Sequence, residues 1–308
     1  MTPDTFADAL ILTGPTGSGK TTLSLELAER LGAEIVSMDS MALYRRLDIA
    51  TAKPTPDERA RVPHHLIDVL DSWESASVAW WLGRAAVACD TIRGRGRQVL
   101  FVGGTPLYLK ALLFGMFDGP AENHETRHRL EELARMQGSQ VLHQRLAQVD
   151  PVTAERLHPN DVRRMVRALE VWEITGRPIS DWQRQWQTGP VNGGGDRVVC
   201  LDRPREELYA RIDARVVEMM RQGLLDEIAA LRRSPRPISR QAAQAVGYRE
   251  ICAHLDGQLT LDDAVRLIQT RSRQFAKRQL TWFRQLPGLR FADERLAGTL
   301  LNPGAALS

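Results

Sequence analysis

Apolar residues along this chain fall into two patterns. Short unbroken runs occur at Ala9–Thr13 (ALILT), 33–38 (AEIVSM), 98–102 (QVLFV) and 198–202 (VVCLD). Each is bounded by turn-forming or polar residues, as expected of a buried strand. Between them, apolar residues recur at helical spacing over 22–32, 77–93 and 107–115. Strand and helix alternate from residue 9 to 115, which predicts a parallel sheet with helices on both faces. From Glu122 to Gln187 the periodicity is helical throughout, with a Trp/Gln-rich end and no convincing strand. TGPVNGGGDR (188–197) reads as turn and linker. Residues 205–285 read as helical, broken by the Arg/Pro/Ser stretch 232–240, and the tail after Leu286 is expected to be partly loose. There is no internal repeat.

The expected division is therefore a core from 1–121 and 198–308, with a helical insertion at 122–197. At 308 residues the chain is long enough for a buried core. Its 43% hydrophobic and 26% charged residues are ordinary for a soluble globular protein. No run approaches the roughly 18 apolar residues of a membrane span. Met1–Asp8 carries acids and no base, unlike the start of a secretory signal. Cys89, Cys200 and Cys252 are far apart, which excludes a disulfide scaffold or a cysteine zinc module and fits a cytoplasmic location. The net charge of +3 predicts no partner, but only four of the 41 basic residues are lysines. Arginine's planar fork suits phosphate; a GC-rich genome produces the same bias.

Gly14, Pro15, Thr16, Gly17, Ser18, Gly19, Lys20 and Thr21 match G-x-x-x-x-G-K-[ST] between a strand and a helix. Such a loop turns backbone N–H groups inward, adds the helix dipole and a lysine, and places a hydroxyl to meet Mg²⁺. A diphosphate or longer phosphate chain is the expected ligand. The fold class that follows is α/β: a P-loop NTPase-like parallel-sheet core with helices on both faces plus an all-helical insertion domain. Nucleotide-hydrolysing relatives of this loop hold Mg²⁺ with an Asp at the end of an apolar strand. Here the corresponding run ends in Gly103 and Gly104, and Asp68 is a weak substitute.

Asp39 ends the second run. If that strand neighbours the first, its carboxylate lies beside the loop as a general base, although Asp-Ser also suits an ordinary turn or helix cap. Thr105 before Pro106 invites the same two readings. Arg163, Arg164 and Arg167 lie within about 100° on a helix, and Arg211 and Arg215 are one turn apart; each set suits either an anion or solvent. Residues 264–290 hold seven bases and no acid. On a helix, Arg266, Arg273, Lys277 and Arg284 align within about 40°, opposite Ile268, Phe275 and Trp282. That pattern predicts a helix packed by its aromatics with a basic stripe suited to nucleic acid.

Several blocks together resemble the tRNA dimethylallyltransferases: GPTGSGKT (14–21), SMDSMALYRRLDIATAKP (37–54), VGGTPLYLKALL (102–113), LHPNDVRRMVRALEVWEITGRPIS (157–180), AVGYRE (245–250) and KRQLTWFR (277–284). They span nearly the whole chain. The resemblance implies transfer of a dimethylallyl group from its diphosphate to N6 of adenosine 37 in the tRNA anticodon stem-loop. The loop would then hold a leaving diphosphate, in keeping with the missing strand-end acid. Lys20, Thr105 and Asp39 become the implied catalytic residues, Asp39 as base. Arg167 and Arg215 complete the diphosphate clamp, and Thr21 holds Mg²⁺. Implied tRNA contacts are Asp39, Ser40, Met41, Ala42, Thr105 and Arg127; Arg163, Arg164, Met165, Val166 and Arg167; Gln244, Ala245, Val246, Gly247, Tyr248 and Arg249; and Lys277, Arg278, Gln279, Leu280, Thr281, Trp282, Phe283 and Arg284.

This chain departs from the family pattern at Ala42, usually Gln, and at Ala50 and Pro106, both usually Gly. It lacks the zinc finger of eukaryotic relatives and so looks bacterial in type. A cytoplasmic monomer with no membrane partner is expected. Three other readings remain: an adenylate isopentenyltransferase, a P-loop small-molecule kinase using Asp39 as base, and an RNA-binding module with a vestigial loop.

Overall fold

The computed structural model describes residues 3–116, 119–184 and 197–301. The Trp/Gln-rich segment beyond Arg184 and all of the expected linker except Arg197 lie outside the described residues.

Six strands form one parallel sheet: β1 (Leu10–Thr13), β2 (Ala33–Ser37), β3 (His64–His65), β4 (Gln98–Gly103), β5 (Val198–Leu201) and β6 (Arg290–Ala292), in the order β3-β2-β4-β1-β5-β6. The helices in chain order are α1 (Lys20–Leu31), α2 (Pro56–Arg61), α3 (Val78–Gly94), α4 (Pro106–Phe114), α5 (His124–Gln137), α6 (Gln140–Val149), α7 (Pro151–Arg156), α8 (Val162–Thr175), α9 (Ile179–Gln183), α10 (Arg205–Arg221), α11 (Leu224–Arg232), α12 (Tyr248–Leu255), α13 (Leu261–Gln285) and α14 (Glu294–Leu300). The expected α/β class holds.

The chain divides into two compact units, one from 1–113 and 191–308, the other from 114–190. In the first, Leu23, Leu27 and Ala28 of α1 pack with Leu12, Ile35, Leu100 and Val199 of the sheet and with Ala297 of α14. Burying such side chains is the main driving force for this layer. Elsewhere in this unit Trp81 of α3 is fully buried, stacks on Tyr108 and packs near Phe101. Its indole Nε1 donates to the Ser37 carbonyl at 3.2 Å. That bond fixes the end of β2 just before Asp39. The second unit is helical, built around Leu130, Leu142, Leu146, Met165, Val166 and Leu169.

Two sequence readings need correction. The tail after Leu286, expected to be partly loose, supplies β6 and α14, which the sequence reading did not foresee, while residues 302–308 lie outside the described residues. β6 is three residues long and borrows its regularity from β5, so no alternating pattern marks it. The two-residue β3 escaped notice for the same reason. The second correction concerns strand order: β2 is not the neighbour of β1, because β4 lies between them.

Candidate active site

The phosphate loop runs from the end of β1 to the first turn of α1. Gly17 and Gly19 take φ of 81° and 96°, left-handed values that strain other residues. Lys20 turns back over its own loop. Its Nζ donates to the carbonyls of Gly14 at 2.8 Å and Pro15 at 2.7 Å. Burial pushes the Lys20 ammonium down to about 8; Asp39 partly offsets this and Arg215 adds to it. Thr21 is exposed at the start of α1.

Three arginines hold this loop from the side of β5 and α10. Arg203 Nε donates to the Ser18 carbonyl at 2.7 Å, while its guanidinium is also paired with Glu207 and Glu294. Arg211 Nε donates to the Gly17 carbonyl at 2.9 Å, and Arg215 reaches the Thr16 hydroxyl at 3.4 Å. Burial lowers the Arg215 guanidinium, an effect that Asp39 opposes. Arg203 was missed by sequence reading. Its only signal is its place two residues beyond a strand that flanks β1, where ligands of such sheets collect.

Asp39 and Thr105 lie just beyond the ends of β2 and β4. Asp39 Oδ1 accepts the Met41 amide at 2.8 Å, so it does form the ordinary turn. The Thr105 hydroxyl accepts the Ser40 amide at 3.0 Å and lies 3.3 Å from Ser40 Oγ; the Thr105 amide donates to the Met38 carbonyl at 3.2 Å. Thr105 thus braces the turn that carries Asp39. Although β4 separates β1 from β2, Asp39 still acts electrostatically on both Lys20 and Arg215.

The glycines at the end of β4 have a steric cause. A Cβ on Gly103 would fall 2.2 Å from the Met38 carbonyl carbon and oxygen. A Cβ on Gly104 would fall 2.7 Å from Gln279 Nε2 and 3.0 Å from the Gly14 carbonyl oxygen. No side chain fits there, so an acid at the usual metal-binding strand end is excluded by packing. Asp68 is no substitute, because Lys53 and Arg59 bind it at 2.6 Å each. Burial works against its charge, but those two cations hold its carboxyl below the usual range.

The departures from the family pattern are accommodated. Positive φ among described non-glycine residues is confined to Arg46, Ala52, Leu66 and Asp68, so Ala50 needs no glycine. Its amide, with those of Asp48 and Ile49, donates to the Glu227 carboxylate at 2.8–3.0 Å. Pro106 is the first residue of α4, where its missing N–H costs nothing. Ala42 is buried rather than presented to solvent, while Ser40 and Met41 are partly exposed.

In the second unit, Arg163 and Arg164 are exposed on α8, with Arg164 paired to Asp161 at 3.2 Å. Met165 and Val166 point into the core. Arg127 and Arg167 both grip the fully buried Glu170, at 2.9 and 3.0 Å for Arg127 and 2.6 Å for Arg167. Arg167 also donates to the Pro120 carbonyl at 2.9 Å. Burial would raise the Glu170 carboxyl, yet those arginines and the Asn123 amide hold it below its ordinary value.

At the start of α12, Gly247 takes φ 88°; Gln244 and Arg249 are exposed, Val246 and Tyr248 partly so, and Ala245 is buried. On α13 the expected faces are wrong in part. The buried side is Ala264, Ile268, Ser272, Ala276, Gln279 and Phe283. Phe275 is exposed beneath Arg278, and Trp282 is half-buried. The stripe is also less bare than its own segment implies. Arg266 pairs with Asp263, and Arg273 with Asp213 of α10. Arg271, off the stripe, pairs with Glu250 of α12. Two of those acids lie on other helices, beyond any window along α13. Lys277 and Arg284 remain, with Leu280 and Thr281, on a cavity of about 650 Å³ whose walls include Arg203, Tyr209 and Phe291.

Gln279 is different again: it is 4% exposed. Its Oε1 accepts the Thr16 amide at 2.9 Å and its Nε2 donates to the Gly104 carbonyl at 2.6 Å.

The IPP transferase family profile matches residues 42–286, and the Isopentenyl transferase profile matches residues 7–67. The chain is 47% identical over 279 residues to tRNA dimethylallyltransferase 2 of Geotalea uraniireducens, covering 89% of this chain and 88% of that one. It is 47% identical over 280 residues to the tRNA dimethylallyltransferase of Geobacter metallireducens, at 90% and 89% coverage. Among solved structures, it is similar to the full-length tRNA isopentenylpyrophosphate transferase of Bacillus halodurans, with TM-score 0.69, 38% identity and coverage of 97% and 96%. A eukaryotic dimethylallyltransferase solved acting on tRNA gives TM-score 0.76 at 27% identity, covering 97% of this chain and 77% of that one.

Proposed function

The chain belongs to the IPP transferase family and is a tRNA dimethylallyltransferase, and on that premise we propose how its residues divide the reaction. The observation that carries the proposal is the close packing of the β4 end, which leads into Thr105 and the Asp39 turn, against the phosphate loop, with the Gly14 carbonyl and Lys20 Nζ 3.0 and 3.7 Å from where a Gly104 β-carbon would lie. One side of the site is cationic, the other offers a carboxylate, and the end of β4 holds glycine where nucleotide hydrolases carry a metal-binding acid.

The donor is dimethylallyl diphosphate. Its diphosphate lies in the loop of Gly14 to Thr21, held by loop amides, Lys20 and Arg215. The acceptor is N6 of adenosine 37 in the anticodon stem-loop. That amine is a weak nucleophile because its lone pair is delocalised into the ring. As N6 forms a bond to C1 of the donor, the C1–O bond breaks and its electron pair leaves with diphosphate. The N6 proton passes to the Asp39 carboxylate. Lys20 and Arg215 stabilise the charge that develops on the leaving group, which is where fixed charges lower a barrier most. Thr105 keeps the turn of Asp39 in place and lies next to the reacting groups. The target base must leave its stack, at a cost of about a few kcal/mol, offset by contacts of the exposed Arg163, Arg164, Arg249, Lys277 and Arg284 with RNA phosphates.

Among the described residues there is no group of three or more His, Cys, Asp or Glu able to hold a metal. The exposed Thr21 hydroxyl at the start of α1, together with a donor diphosphate bound in the loop, would fit Mg²⁺, which keeps few protein ligands and prefers substrate phosphates. Bound there by Thr21, Mg²⁺ would supply further neutralisation of the leaving group. No described helix is long and apolar enough to cross a membrane; we place the enzyme in the cytoplasm, acting as a monomer.

The test is incubation with unmodified tRNA, Mg²⁺ and labelled dimethylallyl diphosphate, followed by nuclease digestion and mass spectrometry. Label on adenosine 37 is expected. Label on AMP instead, or phosphate transfer from ATP, would replace this reading. The Asp39→Ala variant should bind tRNA yet fail to prenylate it; retained turnover would remove Asp39 from the base role.

A further inference from the structure

Gln279 sits on the wrong side of its helix for a nucleic-acid contact. Its neighbours Lys277, Arg278, Thr281 and Arg284 are exposed, whereas Gln279 lies on the buried face between Ala276 and Phe283. A buried amide is costly unless both of its ends find partners. Here both do, and the partners belong to opposite halves of the site. Thr16, whose amide Gln279 accepts, lies in the phosphate loop and touches Arg215 through its hydroxyl. Gly104, whose carbonyl accepts from Gln279, directly precedes Thr105, the brace of the Asp39 turn. The fit is close: a methyl group on Gly104 would meet Gln279 Nε2 at 2.7 Å, the Gly14 carbonyl oxygen at 3.0 Å and Lys20 Nζ at 3.7 Å.

We propose that Gln279 is a positioning residue that clasps the diphosphate loop to the end of β4 and so sets the spacing between leaving group and base, rather than contacting tRNA. The proposal rests on the assignment of the loop to the donor and of Asp39 to the acceptor. No sheet hydrogen bond can do this work, because the loop and the Thr105 turn both lie beyond the last paired residues, Thr13 and Gly103. A side chain from α13 closes the gap instead. Small errors in such spacing are expensive, since a misplacement of about 1 Å can lower turnover by about 100-fold.

The experiment compares wild type with Gln279→Met, which keeps length and volume but loses both hydrogen bonds, and with Gln279→Glu. The glutamate still accepts from the Thr16 amide but turns a lone pair toward the Gly104 carbonyl. Five quantities are read: kcat at saturating substrates, donor KM, tRNA Kd, affinity for inorganic diphosphate, and melting temperature. Both variants should lose about 10-fold or more in kcat while tRNA Kd stays within about twofold, and Gln279→Met should bind diphosphate several-fold more weakly. Weaker tRNA binding with kcat intact would overturn the proposal and return Gln279 to the RNA surface. A fall in melting temperature with kcat and diphosphate affinity unchanged would also overturn it, leaving a packing role alone. Wild type separates this from the parent reading: if it fails to prenylate tRNA, the functional assignment is wrong, while the diphosphate isotherms still decide whether the clasp shapes the loop.

Discussion

Gly103 and Met38 approach so closely that any β-carbon on Gly103 would overlap the Met38 peptide, at 2.2 Å from both its carbonyl carbon and its oxygen. Because β4 and β2 meet this tightly at their ends, Asp39 and Thr105 are held side by side. Replacing Gly103 with Asp, to restore a strand-end acid, should therefore not create a nucleotide hydrolase. It should destabilise the fold by on the order of 2–4 kcal/mol, read as a lower urea midpoint at unchanged slope. Stable folding with ATP hydrolysis would contradict the steric argument.

Lys20 gives a pH dependence of defined sign. Its ammonium is pushed down to about 8 from 10.5 by burial, so the free enzyme carries the charge below about 8 and loses it above. Diphosphate affinity should hold steady from pH 6.5 to 7.5, then weaken by up to about tenfold between pH 8 and 9. The linked stability runs the other way. A lysine whose folded value lies below its unfolded one penalises folding at low pH, and the penalty fades as pH rises from 8 toward 10.5. Calorimetric titration of diphosphate at these pH values, with Lys20→Met as the control lacking the transition, checks the first half. Thermal melts of free enzyme check the second.

Glu170 should behave as the keystone of the helical unit. Its carboxylate is fully buried between Arg127 and Arg167. Removing one member of such a buried cluster typically costs about 3–5 kcal/mol, so Glu170→Ala should strongly destabilise residues 114–190, seen as faster hydrogen exchange there. Because its folded value is depressed, the stability it contributes is present above its ordinary 4.5 and is lost as pH falls below that.

The arginines of α13 should separate by function. Arg284→Ala is expected to weaken tRNA binding uniformly across sequences and to make the salt dependence of log K shallower by about one unit. Arg273→Ala removes a charge already engaged by Asp213, so it should leave that slope unchanged. Filter binding at several salt concentrations tells the two apart; equal effects would show that ion pairing does not decide which bases meet RNA.

Much of this was legible in advance because it is local. A strand, a glycine-rich turn and a helix in immediate succession make the phosphate loop readable from residues 10–31, and Asp39 and Thr105 declare themselves as polar ends of apolar runs. The unreadable parts are those in which distant segments meet. Strand order depends on which crossovers pack, so Asp39 turned out to lie two strands from β1. The acids of α10 and α12 that quench α13 are invisible from α13 itself. Gln279 looks like one more polar residue in a basic block until Thr16 and Gly104 are seen on either side of its amide. Gly103 and Gly104 read as a missing acid, and only the nearness of Met38 and Gln279 shows them to be required.

β1 is flanked on one side by β4, made early in the chain, and on the other by β5, made only after the helical insertion. A ribosome that has finished the phosphate loop, Asp39 and Thr105 has produced four of the six strands but neither of those on the β5 side of β1, and the clasp from residue 279 comes later still. The nascent enzyme must therefore carry an unpaired β1 edge from the end of β4 at Gly103 until β5 begins at Val198, a window in which pairing over such long sequence separation is slow and an exposed edge invites aggregation. Truncation anywhere before β6 should accordingly yield insoluble protein rather than a smaller diphosphate binder.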